Sequence, residues 1–160
     1  MKKEINVLRI LLLSAVVIVV LVSALVFFSL SNRVDYNQLI EVSIARSNGF
    51  VAVYDGYTLT QEDGNWVAIR HYSFPDNARK IAVDDAFVTK IKEILSENNV
   101  HKWDGFDKNL KYVYDATSVN FSMRFVNGKE ITASGYATHP KNFYIVFEEF
   151  EKLFEELFSK

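Results

Sequence analysis

From Ile10 to Leu30 the chain runs for 21 residues without a charge, a proline or a glycine. At about 1.5 Å of rise per residue, a helix of that length extends about 31 Å, the thickness of a bilayer's hydrocarbon core. No other stretch constrains the fold as strongly. Such a run is expected to cross the lipid bilayer as one helix and to leave everything after Leu30 as its folded cargo.

The flanks set the expected orientation. Lys2, Lys3 and Arg9 precede the run with Glu4 as the only acid, whereas Arg33 and Arg46 follow it, with Asp35 between them. Positive residues tend to stay cytoplasmic, so residues 1–9 are expected inside, 10–30 across the membrane, 31–37 as a short linker, and 38–160 as an extracytoplasmic domain. A cleaved signal peptide is the alternative, because Val22-Ser23-Ala24 and Ser29-Leu30-Ser31 both offer small residues to a peptidase. The apolar run is longer than a usual signal core, which favours an uncleaved, single-pass signal-anchor.

After Leu30 there are 130 residues, enough for one domain of ordinary size. Thirteen Phe, eight Tyr and two Trp can fill its core. From Ser31 onward 15 Lys and Arg face 19 Asp and Glu, and no basic stripe stands out. Nucleic acid therefore lacks the electrostatic footprint it requires. Cysteine is absent, which removes disulfides, thiolate metal sites and cysteine nucleophiles.

Periodicity outlines the domain. Val42 and Ile44 alternate with polar neighbours before the Ser47-Asn48-Gly49 turn, and Phe50 to Tyr54 is a short apolar run. Tyr57–Thr60 and Trp66–Arg70 flank a tip containing Asp63-Gly64, which predicts a β-hairpin. Asp84 is then placed to cap a helix whose apolar face is Phe87, Val88, Ile91, Ile94 and Leu95, with Asn98-Asn99 at its end. In the second half, Ser118 to Phe125 puts Val119, Phe121, Met123 and Phe125 on one face and Ser118, Asn120, Ser122 and Arg124 on the other. Asn127-Gly128 predicts a turn into a partner strand over Lys129 to Tyr136. Pro140 suits a first helical turn, and Phe143, Val146, Phe147, Phe150, Leu153, Phe154 and Leu157 form the stripe of a terminal helix. Hairpin then helix, twice, predicts an α+β domain of ββα-ββα plan: one antiparallel sheet with two helices on one face.

Chemistry-bearing motifs are scarce. His71, His101 and His139 are not at helical ligand spacing, and Asp104, Asp107 and Asp115 lack the order of a calcium loop, so no metal is expected. There is no nucleophile elbow and no phosphate-cradling glycine loop, so no cofactor is expected either. The most distinctive segment is His101-Lys102-Trp103-Asp104-Gly105-Phe106. It reads either as a plug at one end of the core or as an exposed aromatic lip for a ligand or peptide. In the second reading the ligand-binding residues are Trp103, Asp104, Phe106, Tyr112 and Tyr114.

Trp103-Asp104-Gly105-Phe106, followed by Phe121-Ser122-Met123, Asn127-Gly128-Lys129-Glu130-Ile131, Ala133-Ser134-Gly135 and Pro140 with Phe143, resembles a family of uncharacterised membrane-anchored proteins of Gram-positive bacteria. The resemblance covers about residues 90–158. Asn127 replaces the family's aspartate, and Ala116-Thr117 stands where a glycine is expected. It implies a fold unit and a bacterial setting, and no activity.

A patterned core without an assembled catalytic signature points to a non-catalytic binding or interaction module at the cell envelope, with a protein partner there. One alternative is an envelope-acting enzyme using Asp104 or Asp115 with His101 or His139 as acid and base. Another is an accessory or sensor subunit whose membrane helix pairs through Ser14-Ala15, Ser23-Ala24 and Ser29.

Overall fold

The computed structural model describes the backbone of residues 17–23, 34–48, 54–72 and 74–159. The chain divides into two units, Met1–Val34 and Asp35–Lys160. In the first unit helical backbone is described over 17–23 only, where Ser23 Oγ donates to the Val19 carbonyl at 2.8 Å. Seven residues of helix rise about 10 Å, a third of a hydrocarbon core. Among the described residues no helix is long and apolar enough to cross a membrane. The expected transmembrane span over Ile10–Leu30, and with it the single-pass signal-anchor reading, is therefore not supported. The remainder of that run, and residues 1–9, lie outside the described residues.

The second unit begins earlier than the pattern suggests. Where a linker over 31–37 was expected, Asp35 caps a single 3-10 turn, Tyr36–Gln38, its side chain accepting from the Asn37 amide at 3.0 Å. This turn leads directly into a mixed sheet of seven strands: β1 (Leu39–Asn48), β2 (Tyr54–Glu62), β3 (Asn65–Tyr72), β4 (Phe74–Ala82), β5 (Phe106–Asn109), β6 (Thr117–Phe125) and β7 (Glu130–Tyr136). Helix α1 (Asp85–Glu97) follows β4, and helix α2 (Phe143–Phe158) follows β7.

The strand order is β4-β3-β2-β1-β6-β7-β5. This overturns the ββα-ββα plan: the order along the domain is four strands and a helix, then three strands and a helix. Three strands account for the difference: β1, which precedes the expected hairpin and where Val42 and Ile44 alternate, β4 and β5. β4 carries Pro75, Arg79 and Lys80, a composition suited to a sheet edge and unlike a hydrophobic strand. β5 has four residues and pairs in parallel with β7, Phe106 opposite Ala133 and Asn109 opposite Tyr136, a partnership no local pattern reveals.

The tight connections follow turn chemistry. Asp63 and Gly64, with φ of 51° and 82°, close the β2–β3 hairpin between Glu62 and Asn65. At the β6–β7 hairpin the Gly128 amide donates to the Phe125 carbonyl at 2.9 Å, Gly128 sits at φ 79°, and the Phe125 amide donates to Lys129 at 3.0 Å. That is a turn with a bulge, so β7 starts at Glu130 and not at Lys129.

The register aligns the two faces across the sheet. Leu59, Val42, Met123 and Ile131 form one row, and Tyr57, Ile44, Phe121 and Ala133 form the next. All eight are buried beneath the helices. Val88, Ile91 and Leu95 of α1 and Phe143, Val146, Phe147, Phe150, Phe154 and Phe158 of α2 complete the core. Tyr57 packs 5.5 Å from Phe147 and 5.0 Å from Phe154 between ring centres, and Phe87 joins α1 to Phe154 at 5.4 Å. Both helices thus cover the same face. Asp84 caps α1 by accepting from the Phe87 amide at 2.9 Å, while Pro140 precedes α2, which begins only at Phe143.

The rim of the covered face is held by charge. Arg46 lies 3.5 Å from Glu151 and 3.7 Å from Asp55, with its guanidinium 4.3 Å above the Phe147 ring. Arg70 pairs with Glu155 one turn further along α2. The opposite face of the sheet has no helix on it among the described residues.

Candidate functional site

The five residues expected to form an aromatic lip do not form one. Trp103 is 4% exposed; its indole Nε1 donates to the Lys141 carbonyl at 2.9 Å, and its ring packs 5.0 Å from Phe121 and 5.7 Å from Phe143. It is the plug of the core's end, with its one polar atom satisfied. Asp104 is exposed and accepts from the Thr132 amide at 3.4 Å, next to the Gly105 amide, which donates to the Thr132 carbonyl at 3.1 Å. These bonds start the β5–β7 pairing. Phe106 is half-buried on β5, with Lys108 Nζ 5.3 Å from its ring centre.

Tyr112 and Tyr114 lie beyond the other end of β5, where a strand of four residues has carried the chain about 13 Å. They are 91% and 86% exposed. With Leu110 at 52% and Val113 at 40% they give the segment 110–114 four exposed apolar or aromatic side chains, with Lys111 among them. The loop is nevertheless tied down. The Leu110 amide donates to the Tyr136 carbonyl at 3.1 Å, the Tyr136 hydroxyl donates to the Val113 carbonyl at 3.1 Å, and the Ala116 amide donates to that hydroxyl at 3.4 Å. Tyr112 and Asp115 sit in the left-handed region at φ 66° and 59°. A residue with a Cβ pays about 1–2 kcal/mol for that conformation. The loop presents two tyrosines at the cost of strain, and nothing in the domain's own packing uses them.

The uncovered sheet face is a second concave feature that local sequence reading missed. Ser43, Ala45, Asn120, Ser122, Thr132 and Ser134 line a depression of about 410 Å³, with Tyr54 at one end and Asp107 at the other; Phe106 borders it at the sheet edge with its ring on the helix-covered side. The signal was present in part: the alternation in β6 already separates Ser118, Asn120, Ser122 and Arg124 from the core residues. Only the register shows that Ala45, Asn120, Ser134 and Asp107 form one row across four strands. Ser134 Oγ donates to Asp107 at 2.8 Å, and Thr58 Oγ1 donates to Ser43 Oγ at 3.0 Å. His71 Nε2 lies 3.2 Å from Thr58 Oγ1, with the Tyr54 ring edge-on at 6.2 Å. Burial, then the nearby Lys80, hold the His71 imidazole below its ordinary pKa.

The other histidines are engaged elsewhere. His101 Nδ1 lies 3.4 Å from the Tyr36 hydroxyl, itself a donor to the Leu95 carbonyl at 3.2 Å, and burial, then Lys102 and Lys129, lower its pKa. His139 Nδ1 lies 2.9 Å from the Pro140 carbonyl, with its ring 4.7 Å from Tyr144. Asp104 and Asp107 bond to β7, and no histidine–aspartate hydrogen bond is formed among the described residues. No group of three or more potential metal ligands is found among them either.

No protein-family model matches the chain, and no curated protein is significantly similar to it.

Proposed function

We propose that the domain is a non-catalytic interaction module that engages a protein partner through the 110–114 loop. The observation that carries this reading is the near-complete exposure of Tyr112 and Tyr114 on a loop anchored by Tyr136. Tyrosine is enriched where interfaces concentrate their energy, because it brings a large amphipathic ring at low entropic cost. A strained loop held in one conformation also lowers the ordering cost of association. Leu110 and Val113 extend the apolar contact, with the charged Lys111 between Leu110 and Tyr112 and Asp115 following Tyr114. An enzymatic reading has less support, since each histidine is paired away from the aspartates with which it would have to act.

The test is a photo-crosslinking amino acid placed at Tyr114 in intact cells, with Asp63 at the β2–β3 tip as the control position. A discrete protein adduct from position 114, absent from position 63 and lost when Leu110 and Tyr112 become serine, is the expected result. Adducts of equal yield and identity from both positions would remove the loop from consideration.

A further inference from the structure

The geometry points to a second binding site, independent of the loop: the trough on the uncovered sheet face takes an extended, neutral, polyhydroxylated chain, an oligosaccharide. The trough runs across the strands from Tyr54 on β2 to Asp107 on β5. Four inter-strand steps of about 4.8 Å give it a length of about 19 Å, which suits a linear ligand better than a compact one. Its floor is low because Ala45 and Ser43 occupy the central strand, and its first wall is an aromatic ring laid flat. At Gly56 an added Cβ would come within 2.8 Å of Tyr54 Cε1, so the glycine is what lets the Tyr54 ring lie down on the sheet.

The lining selects the ligand's chemistry. Asn120, Ser122 and Thr132 make no side-chain hydrogen bond among the described residues, so an amide and two hydroxyls are available to a ligand in addition to Ser43 and Ser134. Hydroxyl and amide groups both donate and accept, which matches a partner whose hydroxyls do the same. Asp107 is the only charged residue in the lining, so an anion finds no counter-charge there, while the carboxylate, which accepts from Ser134 through one oxygen, can accept from a ligand hydroxyl as well. Arg124, the cation on the same face of β6, is paired with Glu41 at 2.5 Å. A protein partner would need an apolar centre in its footprint, and between its ends the trough offers the Ala45 methyl, since Phe121 and Ala133, which also border it, belong to the row buried beneath the helices. The Tyr54 ring at one end, an amide and hydroxyls along the floor and the Asp107 carboxylate at the other end fit the apolar C–H faces and polar rim of linked sugar rings.

The test is microcalorimetric titration of the full chain in detergent solution with neutral tetrasaccharides of three linkage types (cellotetraose, maltotetraose and tetra-N-acetylchitotetraose). Tetragalacturonate and a neutral extended octapeptide serve as comparison ligands. Saturable binding of at least one neutral tetrasaccharide, weakened at least tenfold in Asn120→Ala/Ser122→Ala and unchanged in Tyr112→Ser/Tyr114→Ser, is the expected result. Asn120, Tyr112 and Tyr114 are exposed and Ser122 is half-buried, and an unchanged near-ultraviolet circular dichroism spectrum confirms that each variant is folded. A Ser122→Thr variant, which keeps the hydroxyl, should retain binding within a few-fold. The proposal is overturned if none of the three sugars binds up to about ten millimolar, if the galacturonate or the peptide binds more tightly, or if the loop variant loses sugar binding while the trough variant keeps it. The first two outcomes would leave the loop's role in protein recognition intact.

Discussion

The Tyr136 hydroxyl donates to the Val113 carbonyl at 3.1 Å, and through this bond a strand residue holds the centre of the loop that exposes Tyr112 and Tyr114. The same oxygen accepts from the Ala116 amide. One phenol therefore closes both sides of a loop that would otherwise be tied only at its ends.

Replacing Tyr136 by phenylalanine keeps the ring and removes both bonds. Two exchanged hydrogen bonds near the surface correspond to about 1–2 kcal/mol. Most of that loss is local, because the strand pairing of β7 with β6 and β5 does not depend on the hydroxyl. The expected outcome is a Tm lowered by a few degrees together with at least tenfold faster amide exchange over residues 110–116. Unchanged exchange in that segment would show that Tyr136 does not hold it.

Trp103 is bound to the core by area and by one hydrogen bond to Lys141. Trp103→Ala should cost about 3–5 kcal/mol, the range for truncating a buried aromatic. Trp103→Phe should cost less, about 1–3 kcal/mol, from the smaller ring and the unpaired carbonyl. Urea denaturation checks both. A Trp103→Ala variant as stable as the parent would mean that the indole is not where the Phe121 and Phe143 rings meet.

Much of this is legible in the sequence. The Asp84 cap works through the Phe87 amide, and the phenylalanine stripe of α2 is buried at each of its phenylalanines. Asp63-Gly64 closes a hairpin for the reason it was expected to: both residues must take positive φ. What escaped was non-local or disguised. β4 hides behind Pro75, Arg79 and Lys80, because an edge strand needs charge on display and few apolar residues. β5 is decided by a partner 27 residues away, and Trp103-Asp104-Gly105-Phe106 divides at Gly105. With φ at 72°, that glycine turns the chain so that Trp103 enters the core and Phe106 reaches the sheet edge. Spacing along the chain could not separate those two aromatics. The trough on the open face was half visible in the alternation of β6, and it needed the register of β1, β7 and β5 to become a surface.

Gly135 allows the chain to double back after β7. A Cβ there would stand 2.3 Å from the Thr138 carbonyl oxygen and 3.3 Å from the Phe106 ring. The first neighbour is backbone, so it cannot swing aside. Gly135→Ala should destabilise by about 1–3 kcal/mol through overpacking. It should also disturb Phe106, so the β5 amides should exchange faster than those of β2. Equal stability of the variant and the parent in urea would show that the 137–142 connection has room to shift.

Two histidines should make stability depend on pH below neutrality. His71 and His101 both have folded-state pKa values lowered from 6.5, chiefly by burial. Around His71 stand Tyr54, Thr58 and Lys80; around His101 stand Tyr36, Lys102 and Lys129. None of these supplies a negative charge to a protonated ring. A lowered histidine pKa means that the unfolded chain binds protons at a pH where the native protein does not. Stability therefore rises with pH through the window just below 6.5 and reaches its full value above it. The urea midpoint should be higher at about pH 7.5 than at about pH 5.5, and the difference should shrink in His71→Gln/His101→Gln, which titrates at neither site. A midpoint higher at the acid end in the parent would show that the imidazoles gain an anionic neighbour on folding, the reverse of what Lys80, Lys102 and Lys129 impose.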